Sequence, residues 1–109
     1  MPTIYKVLGQ SAPSATTDTT LYTVPAATDA IVSSLVIANR DSSSATFRVA
    51  VRPAGATLAN QHYIAYDVTV GASDSTVLTL GLTLDATDVI TVRASTANLS
   101  FSAYGSEIS

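Results

Sequence analysis

Arginine is the residue in this sequence whose spacing most clearly suggests a binding surface. The chain has only five Lys and Arg residues, and Arg40, Arg48 and Arg52 lie close together. On a strand, Arg48 and Arg52 project from one face about 13 Å apart, whereas Arg40 belongs to the preceding turn. A guanidinium pairs a carboxylate with two hydrogen bonds. We therefore take the three arginines as a candidate interface for acidic groups on a neighbouring chain; the alternative is solvated charge that keeps an exposed strand from pairing promiscuously.

Catalytic and metal-binding sets are weakly indicated. His62 is the only histidine, and a Ser-His-Asp set can be drawn from His62, Asp67 and a loop serine, but no Gly-x-Ser-x-Gly elbow accompanies it. Asp85 and Asp88 have a spacing that could ligate calcium, although aspartates in such turns more often cap backbone N–H groups. No phosphate-binding glycine loop is present. The sequence thus predicts a protein that is not an enzyme and has no metal or cofactor.

The tyrosines leave two interpretations open. A tyrosine offers stiff, amphipathic contact area that suits sugar binding. Tyrosines that edge a sandwich core with their hydroxyls in water are the alternative. The five are Tyr5, Tyr22, Tyr63, Tyr66 and Tyr104.

Composition excludes several classes of partner. The formal net charge is −3 and charged residues make up 12% of the chain, so we expect neither nucleic-acid binding nor binding to an anionic membrane. No apolar run reaches the roughly 20 residues of a membrane helix, and the N-terminus does not look like a signal peptide. We expect synthesis in the host cytoplasm. Cysteine is absent, so stability must come from packing or assembly.

The residue choice predicts an all-β fold, because Val, Ile, Thr and Tyr recur while helix formers are scarce. We predict a single domain, 1–109, with residues 1–19 considered as an N-terminal arm and 105–109 as a short tail. Its architecture is an antiparallel β-sandwich of about eight short strands, jelly-roll-like, with an immunoglobulin-like sandwich as the alternative. The eight predicted strands are 3–8, 20–24, 30–39, 46–52, 61–70, 76–80, 89–94 and 99–104.

For two of these strands, the pattern predicts which side chains face the core. In the fourth strand, Phe47, Val49 and Val51 should point inward and the arginines outward. The third strand is apolar on both faces, so we expect both to be covered. One cover is the core; the other is a neighbouring subunit or, alternatively, a loop or twisted strand of the same chain.

Several segments from Thr20 to the C-terminus resemble small virion proteins of tailed bacteriophages, especially those of marine and cyanobacterial hosts. They read TLYTVPA, IVSSLVIANR, ATFRVAVRPAG, HYIAYD, LTLGLTL, ATDVITVRAS and LSFSAYGSEI. The resemblance is one of pattern and brings no active site with it. It implies a β-sandwich built into the virus particle.

The resemblance leads to an expected function. We expect a non-enzymatic capsid decoration (cement) protein that binds between capsomers and stabilises the head; a tail, baseplate or fibre component that binds host-surface carbohydrate is the alternative. Its expected partners are the major capsid protein or other virion proteins, and its expected location is the virion. We also expect a homo-oligomer, with a trimer as the specific expectation.

Overall fold

The protein is an all-β structure in which two four-stranded antiparallel sheets enclose one core. The structure, a computed structural model, describes residues 2–109. Its strands are β1 (Thr3–Ser11), β2 (Thr19–Thr23), β3 (Asp29–Asn39), β4 (Ala45–Arg52), β5 (Tyr63–Val70), β6 (Ser75–Leu84), β7 (Val89–Ala94) and β8 (Leu99–Ile108). Two short 3-10 turns, Pro53–Gly55 and Asn60–His62, connect β4 to β5. None of the helical turns in this described part of the chain could cross a bilayer.

The strand order is that of a double-sheet jelly roll. Sheet A has the order β1-β8-β3-β6 and sheet B the order β2-β7-β4-β5. The hairpin β4–β5 is continued by the antiparallel pairs β3–β6, β2–β7 and β1–β8. One long ribbon is therefore wound so that successive pairs alternate between the sheets, as in eight-stranded jelly rolls. The predicted sandwich is confirmed, and the order differs from the ABED and CFG sheets of the immunoglobulin-like alternative.

Alternation along the strands fills the core between the sheets. Phe47 of β4 and Phe101 of β8 are both fully buried, and their rings meet edge to face with centroids 6.2 Å apart. In β4, Phe47 and Val49 point into the core as predicted, and Arg48 lies on the opposite face beside Arg93 of β7. Edge-to-face contacts of this kind are worth about 0.5–1.5 kcal/mol beyond the burial of the rings.

A β-bulge in β3 interrupts the alternation of faces along that strand. The register against both neighbours shifts between Val32 and Ser34, because an extra residue in a bulge reverses the alternation after it. Val32 and Leu35 are consequently both buried, whereas Ile31 and Val36 share the outer face of sheet A. The outer residues of β3 are exposed or half-buried within the chain, so its own loops and strands do not bury this face, and cover by a neighbouring subunit stays a prediction.

The chain ends are built into sheet A. The first residue of the expected arm, residue 1, lies outside the described residues, and most of the rest, Thr3–Ser11, is β1 paired with β8. The expected tail at 105–109 is mainly the end of β8, which continues to Ile108. Gly105 does not break the strand. It allows β8 to approach the β3 bulge, where a Cβ would overlap the Ile31 carbonyl oxygen.

One side of the sandwich is closed by a hydrogen-bonded group that joins both sheets. The Tyr22 hydroxyl of β2 donates to one carboxylate oxygen of Glu107 in β8, and Lys6 Nζ of β1 donates to the other at 3.2 Å. The hydrogen bond from Tyr22 holds the pKa of Glu107 below its ordinary value, with help from Lys6. Burial, together with the bond to Glu107, raises the pKa of Tyr22. Here β1 also lies against β2, because Gly9 leaves room for the Leu21 carbonyl.

The close approach at Gly105 predicts a position-specific cost of adding one methyl group. Gly105→Ala should lower the free energy of unfolding by about 3 kcal/mol, the upper part of the usual range for overpacking. Gly81→Ala is the matched control, since a Cβ on Gly81 of the edge strand β6 would meet nothing within 4 Å. Chemical denaturation measures both. Equal costs for the two variants would contradict the packing described around β8.

The Tyr22–Glu107 bond predicts a pH-dependent contribution to stability. Tyr22→Phe should cost about 1.5–3 kcal/mol at pH 7, the usual value of a hydrogen bond to a charged group. Because the folded pKa of Glu107 is lowered, its contribution is complete above the ordinary carboxyl pKa and is lost as the pH falls through the folded value. The difference in the free energy of unfolding between Tyr22→Phe and the unaltered chain should therefore shrink below about pH 4. Tyr104→Phe, whose side chain is partly exposed, is the control in thermal unfolding; a pH-independent difference for Tyr22→Phe would be inconsistent with the bond.

Candidate functional site

Arg48 lies on the outer face of sheet B, but its guanidinium is bonded within the chain. Its Nε donates to Asp67 Oδ1 at 2.7 Å and its Nη2 to Oδ2 at 3.3 Å. The same group lies 4.1 Å from the ring centre of Tyr66. The hydrogen bond from Arg48 lowers the pKa of Asp67, and the same bond raises that of Arg48. Arg48 thus ties β4 to the edge strand β5.

A bulge in β5 produces this pairing. The register between β4 and β5 shifts between Phe47 and Val49, and Asp67 has a φ of 54°. Asp tolerates this left-handed region better than most residues. The extra residue directs Tyr66 toward Arg48 while Val68 stays paired beside Phe47. Strict alternation along the strand would place Tyr66 and Val68 on one face, so a pattern of period two cannot reveal this bulge.

Arg93 is the functional candidate that the sequence analysis missed. It lies directly opposite Arg48 in the β4–β7 register, and like charges at such positions repel. Carboxylates flank the pair, since Asp67 binds Arg48 and Asp18 Oδ1 lies 3.7 Å from Arg93 Nη1. No signal along the chain reveals this neighbour, because Arg93 is 45 residues away and only the strand register brings it beside Arg48.

A small cleft opens beside this row of alternating charges. It has a volume of about 190 Å³ and is bordered by both guanidinium groups and the hydroxyl residues Thr16, Thr46 and Ser95. Small-molecule sites usually measure about 300–1,000 Å³. The cleft is therefore suited to one side chain of a partner, such as a carboxylate that Arg93 could pair, and not to a cofactor.

Arg52 and Arg40 lie apart from this row and bind the chain's own oxygens. Arg52 Nε donates to Thr91 Oγ1 at 3.0 Å, and its Nη1 donates to carbonyls of the turn that follows β4. Arg40 Nε donates to Ser100 Oγ at 2.9 Å and its Nη2 to the Ala97 carbonyl at 3.0 Å. Neither is among the arginines that pair with a carboxylate within residues 2–109. Of the three arginines predicted as an interface, Arg48 and Arg52 thus share the outer face of β4 but bind different partners, and Arg40 belongs to the other sheet.

The residues considered for catalysis have other partners in the fold. His62 Nδ1 accepts the Ala59 N–H, which holds the 3-10 turn before β5. Asp67 pairs with Arg48 on the outer face of sheet B. His62 and Asp67 are therefore not brought together as a catalytic pair.

The aspartates considered for calcium cap backbone N–H groups in their turn. Asp85 Oδ1 accepts the Ala86 N–H, and Asp88 accepts the N–H groups of Asp85 and Ala54. In the described part of the chain, no group of three or more His, Asp or Glu side chains could hold a metal ion. The structure therefore gives Asp85 and Asp88 the capping role that was the alternative interpretation.

The outer face of sheet A is a broad surface of small polar and apolar side chains. Cross-strand partners project to one side, and the register assigns to this face the residues of sheet A that do not enter the core. Its larger side chains are Tyr5, Val7, Ile31, Val36, Val77 and Tyr104, and its small polar ones include Ser34, Thr79, Thr83, Ser100 and Ser102. Tyr5 is 84% exposed and Val77 56% exposed. Contiguous exposed apolar groups of this kind mark contact surfaces.

Charge on this face is confined to its two ends. Among the described residues, Asp29 is the one charged side chain in the outward register of sheet A. A hydrogen bond shared with the Asp85 carboxyl raises the pKa of Asp29; we call this pair the acidic end. Arg40, which follows β3 and reaches Ser100 on the same face, forms the arginine end. The two ends are separated by the length of β3, about 35 Å.

Neither a scan against protein-family models nor a search of curated proteins finds a match for this chain.

The Arg48–Asp67 pair predicts a titration that NMR can follow directly. In Arg48→Gln, the pKa of Asp67 should rise toward its ordinary value because the charged hydrogen bonds are lost. Since the folded pKa of Asp67 is lowered, the pair stabilises the chain above the ordinary pKa, and this contribution disappears as the pH falls through the folded value. Arg40→Gln, at the other sheet, is the control and should leave Asp67 unchanged. An unaltered Asp67 titration in Arg48→Gln would exclude the pair in solution.

Proposed function

We propose that this chain is a structural protein of a tailed-phage virion, and specifically a decoration protein that binds between capsomers of the head. It is made in the host cytoplasm and acts in the particle, where its partners are the major capsid protein and further copies of itself. This function involves no chemical reaction. Its role is to add contacts that hold other proteins together.

The outer face of sheet A is the observation that carries the proposal. Four strands present a surface of tyrosine, valine, isoleucine, serine and threonine whose interior lacks charge among the described residues. Interface cores are depleted of charged residues and enriched in tyrosine. A surface of this composition suits permanent contact with protein in an assembly.

The fold and the sequence pattern give further support. Double-sheet jelly rolls occur in viral capsid and lectin domains, although one fold hosts many functions and this support is by analogy. The segments that resemble phage virion proteins include β3, β4, β6, β7 and β8, which form most of the core. The chain has no cysteine, so its stability does not depend on the redox state inside or outside the host cell.

Stabilisation of the shell would follow from mass action. A protein that binds the mature lattice and not the disrupted one stabilises the lattice by a free energy that rises with its affinity and concentration. The arginines of sheet B provide a second surface for this contact. Arg93, paired with Asp18 only at 3.7 Å, is the arginine beside the cleft with donors most open to an acidic group of the shell.

A cluster at β5 supports the second candidate, a tail or fibre component that binds host-surface carbohydrate. The rings of Tyr63 and Tyr66 meet edge to face with centroids 4.9 Å apart, and Tyr66 is 56% exposed. Asp67 and Arg48 lie beside them. An aromatic ring flanked by hydrogen-bonding groups is a suitable surface for a sugar.

Particles with and without this protein test the proposal. Virions are purified from a phage that carries the gene and from a matched deletion, the copies per particle are counted by quantitative mass spectrometry, and the temperature of DNA release is measured. We expect hundreds of copies and a lower release temperature in the deletion. Complementation with the unaltered gene is the control and should restore the release temperature.

Three results would contradict the decoration function. The protein could be absent from purified particles, the release temperature could be the same in the deletion, or the copy number could be a few to tens. The last result, with loss of host attachment in the deletion, would favour the tail or fibre component.

A further inference from the structure

The outer face of sheet A has opposite charges at its two ends, and neither end is neutralised by its own chain. The Arg40 guanidinium binds a hydroxyl and a carbonyl oxygen, and among the described residues no carboxylate pairs with it. At the other end, no basic side chain among the described residues pairs with Asp29. A partner surface with an acidic group over the arginine end and a basic group over the acidic end would neutralise both ends of this face.

A second copy of the same face carries that opposite pattern when it is turned end for end. A twofold axis that lies between two stacked faces and runs across the strands puts the arginine end of each copy over the acidic end of the other. An axis along the strands would instead oppose like charges. Twofold contacts are isologous, so each favourable pair forms twice. Stacked sheets keep their strands within about 30° of each other, which preserves this alignment of the ends.

The distribution of side-chain size fits the same arrangement. Tyr5 and Ile31 lie in the half of the face nearer the acidic end, and Tyr104 lies near the middle, opposite Ser34. The other half presents Val36 and Val77 together with the smaller residues Ala38 and Ser102. Turning one copy end for end puts the half with Tyr5 and Ile31 over the half that contains Ala38 and Ser102.

The area of the face is sufficient for a stable pair. Four strands at a spacing of about 4.8 Å, each about ten residues long, give a face of about 650 Å². Specific interfaces bury about 600–1,000 Å² per partner. The middle of the face contains no charge among the described residues. Two stacked copies would therefore bury no unpaired charge there.

We infer that the outer face of sheet A binds a second copy of this chain, stacked about a twofold axis across the strands with Arg40 of each copy beside Asp29 of the other. This inference rests on the proposed function, which uses the outer face of sheet A as a contact surface, and it names a second copy of the chain as the partner of that face. It replaces the trimer expected from the sequence with a pair. In the particle, the pair would leave both outer faces of sheet B, with their arginines, free to contact the shell.

A charge swap on the full-length chain tests the pair. The dissociation constant is measured by sedimentation equilibrium for the unaltered chain, Arg40→Asp, Asp29→Arg and the double variant. Because each substitution acts twice in a twofold pair, each single variant should weaken the dimer by about tenfold or more. The double variant exchanges the charges of the two ends and should recover most of the affinity.

Two further variants separate the face from general effects of charge. Arg52→Asp changes a sheet B arginine that likewise has no carboxylate partner in residues 2–109, and it should leave the dimer intact. Tyr104→Glu places a charge in the middle of the face and should give a folded monomer. Circular dichroism and thermal unfolding verify that each variant folds.

The outcomes distinguish this inference from the proposed function. A monomer at every concentration, a trimer, or a double variant as weak as the single ones would overturn the pair, even if the protein is abundant in virions. A dimer that shows the charge-swap recovery would support the pair even if the protein is absent from purified particles, in which case the virion function would fail alone.

Discussion

The contact between Phe47 and Phe101 is the constraint around which the structure is arranged. These rings come from different sheets and from strands far apart in the chain, yet both are buried and meet edge to face. For them to meet, the ribbon that begins at the β4–β5 hairpin must fold over itself and alternate its strand pairs between two layers. Packed sheets stand about 10 Å apart, a gap that a layer of Phe, Leu, Ile and Val side chains fills. The jelly-roll order places one sheet on each side of this layer.

The outer faces of the two sheets differ in their charge. Sheet B carries Arg48 and Arg93 side by side, with Asp67 and Asp18 completing a row of charges across the sheet. Sheet A has a neutral outer face with charge only at its ends. This division explains how a chain with 12% charged residues can have one surface suited to polar recognition and another suited to permanent burial. The proposed assembly uses both.

The fold class could be predicted from sequence because β-forming residues recur along the whole chain, even though the register shifts in five of the six strand pairs. In β4, apolar and polar residues alternate, so the inward Phe47 and the outward Arg48 were predicted correctly. The failures coincide with bulges, which cannot be seen in a pattern of period two. Ser33 reverses the faces of β3 after Val32, and Asp67 with its positive φ interrupts β5. The candidate site was less predictable, because Arg93 becomes a neighbour of Arg48 only through the register of strands distant in sequence.

The central claim is that the outer face of sheet A is covered by protein when this chain performs its function. A reconstruction of the virus particle by cryo-electron microscopy tests it most directly. The two sheets can be told apart by their strand order and by the side of the sandwich where Tyr22 binds Glu107. The account predicts density for another protein surface against Tyr5, Tyr104 and Val77. A sandwich held in the particle with this face open to solvent would contradict it.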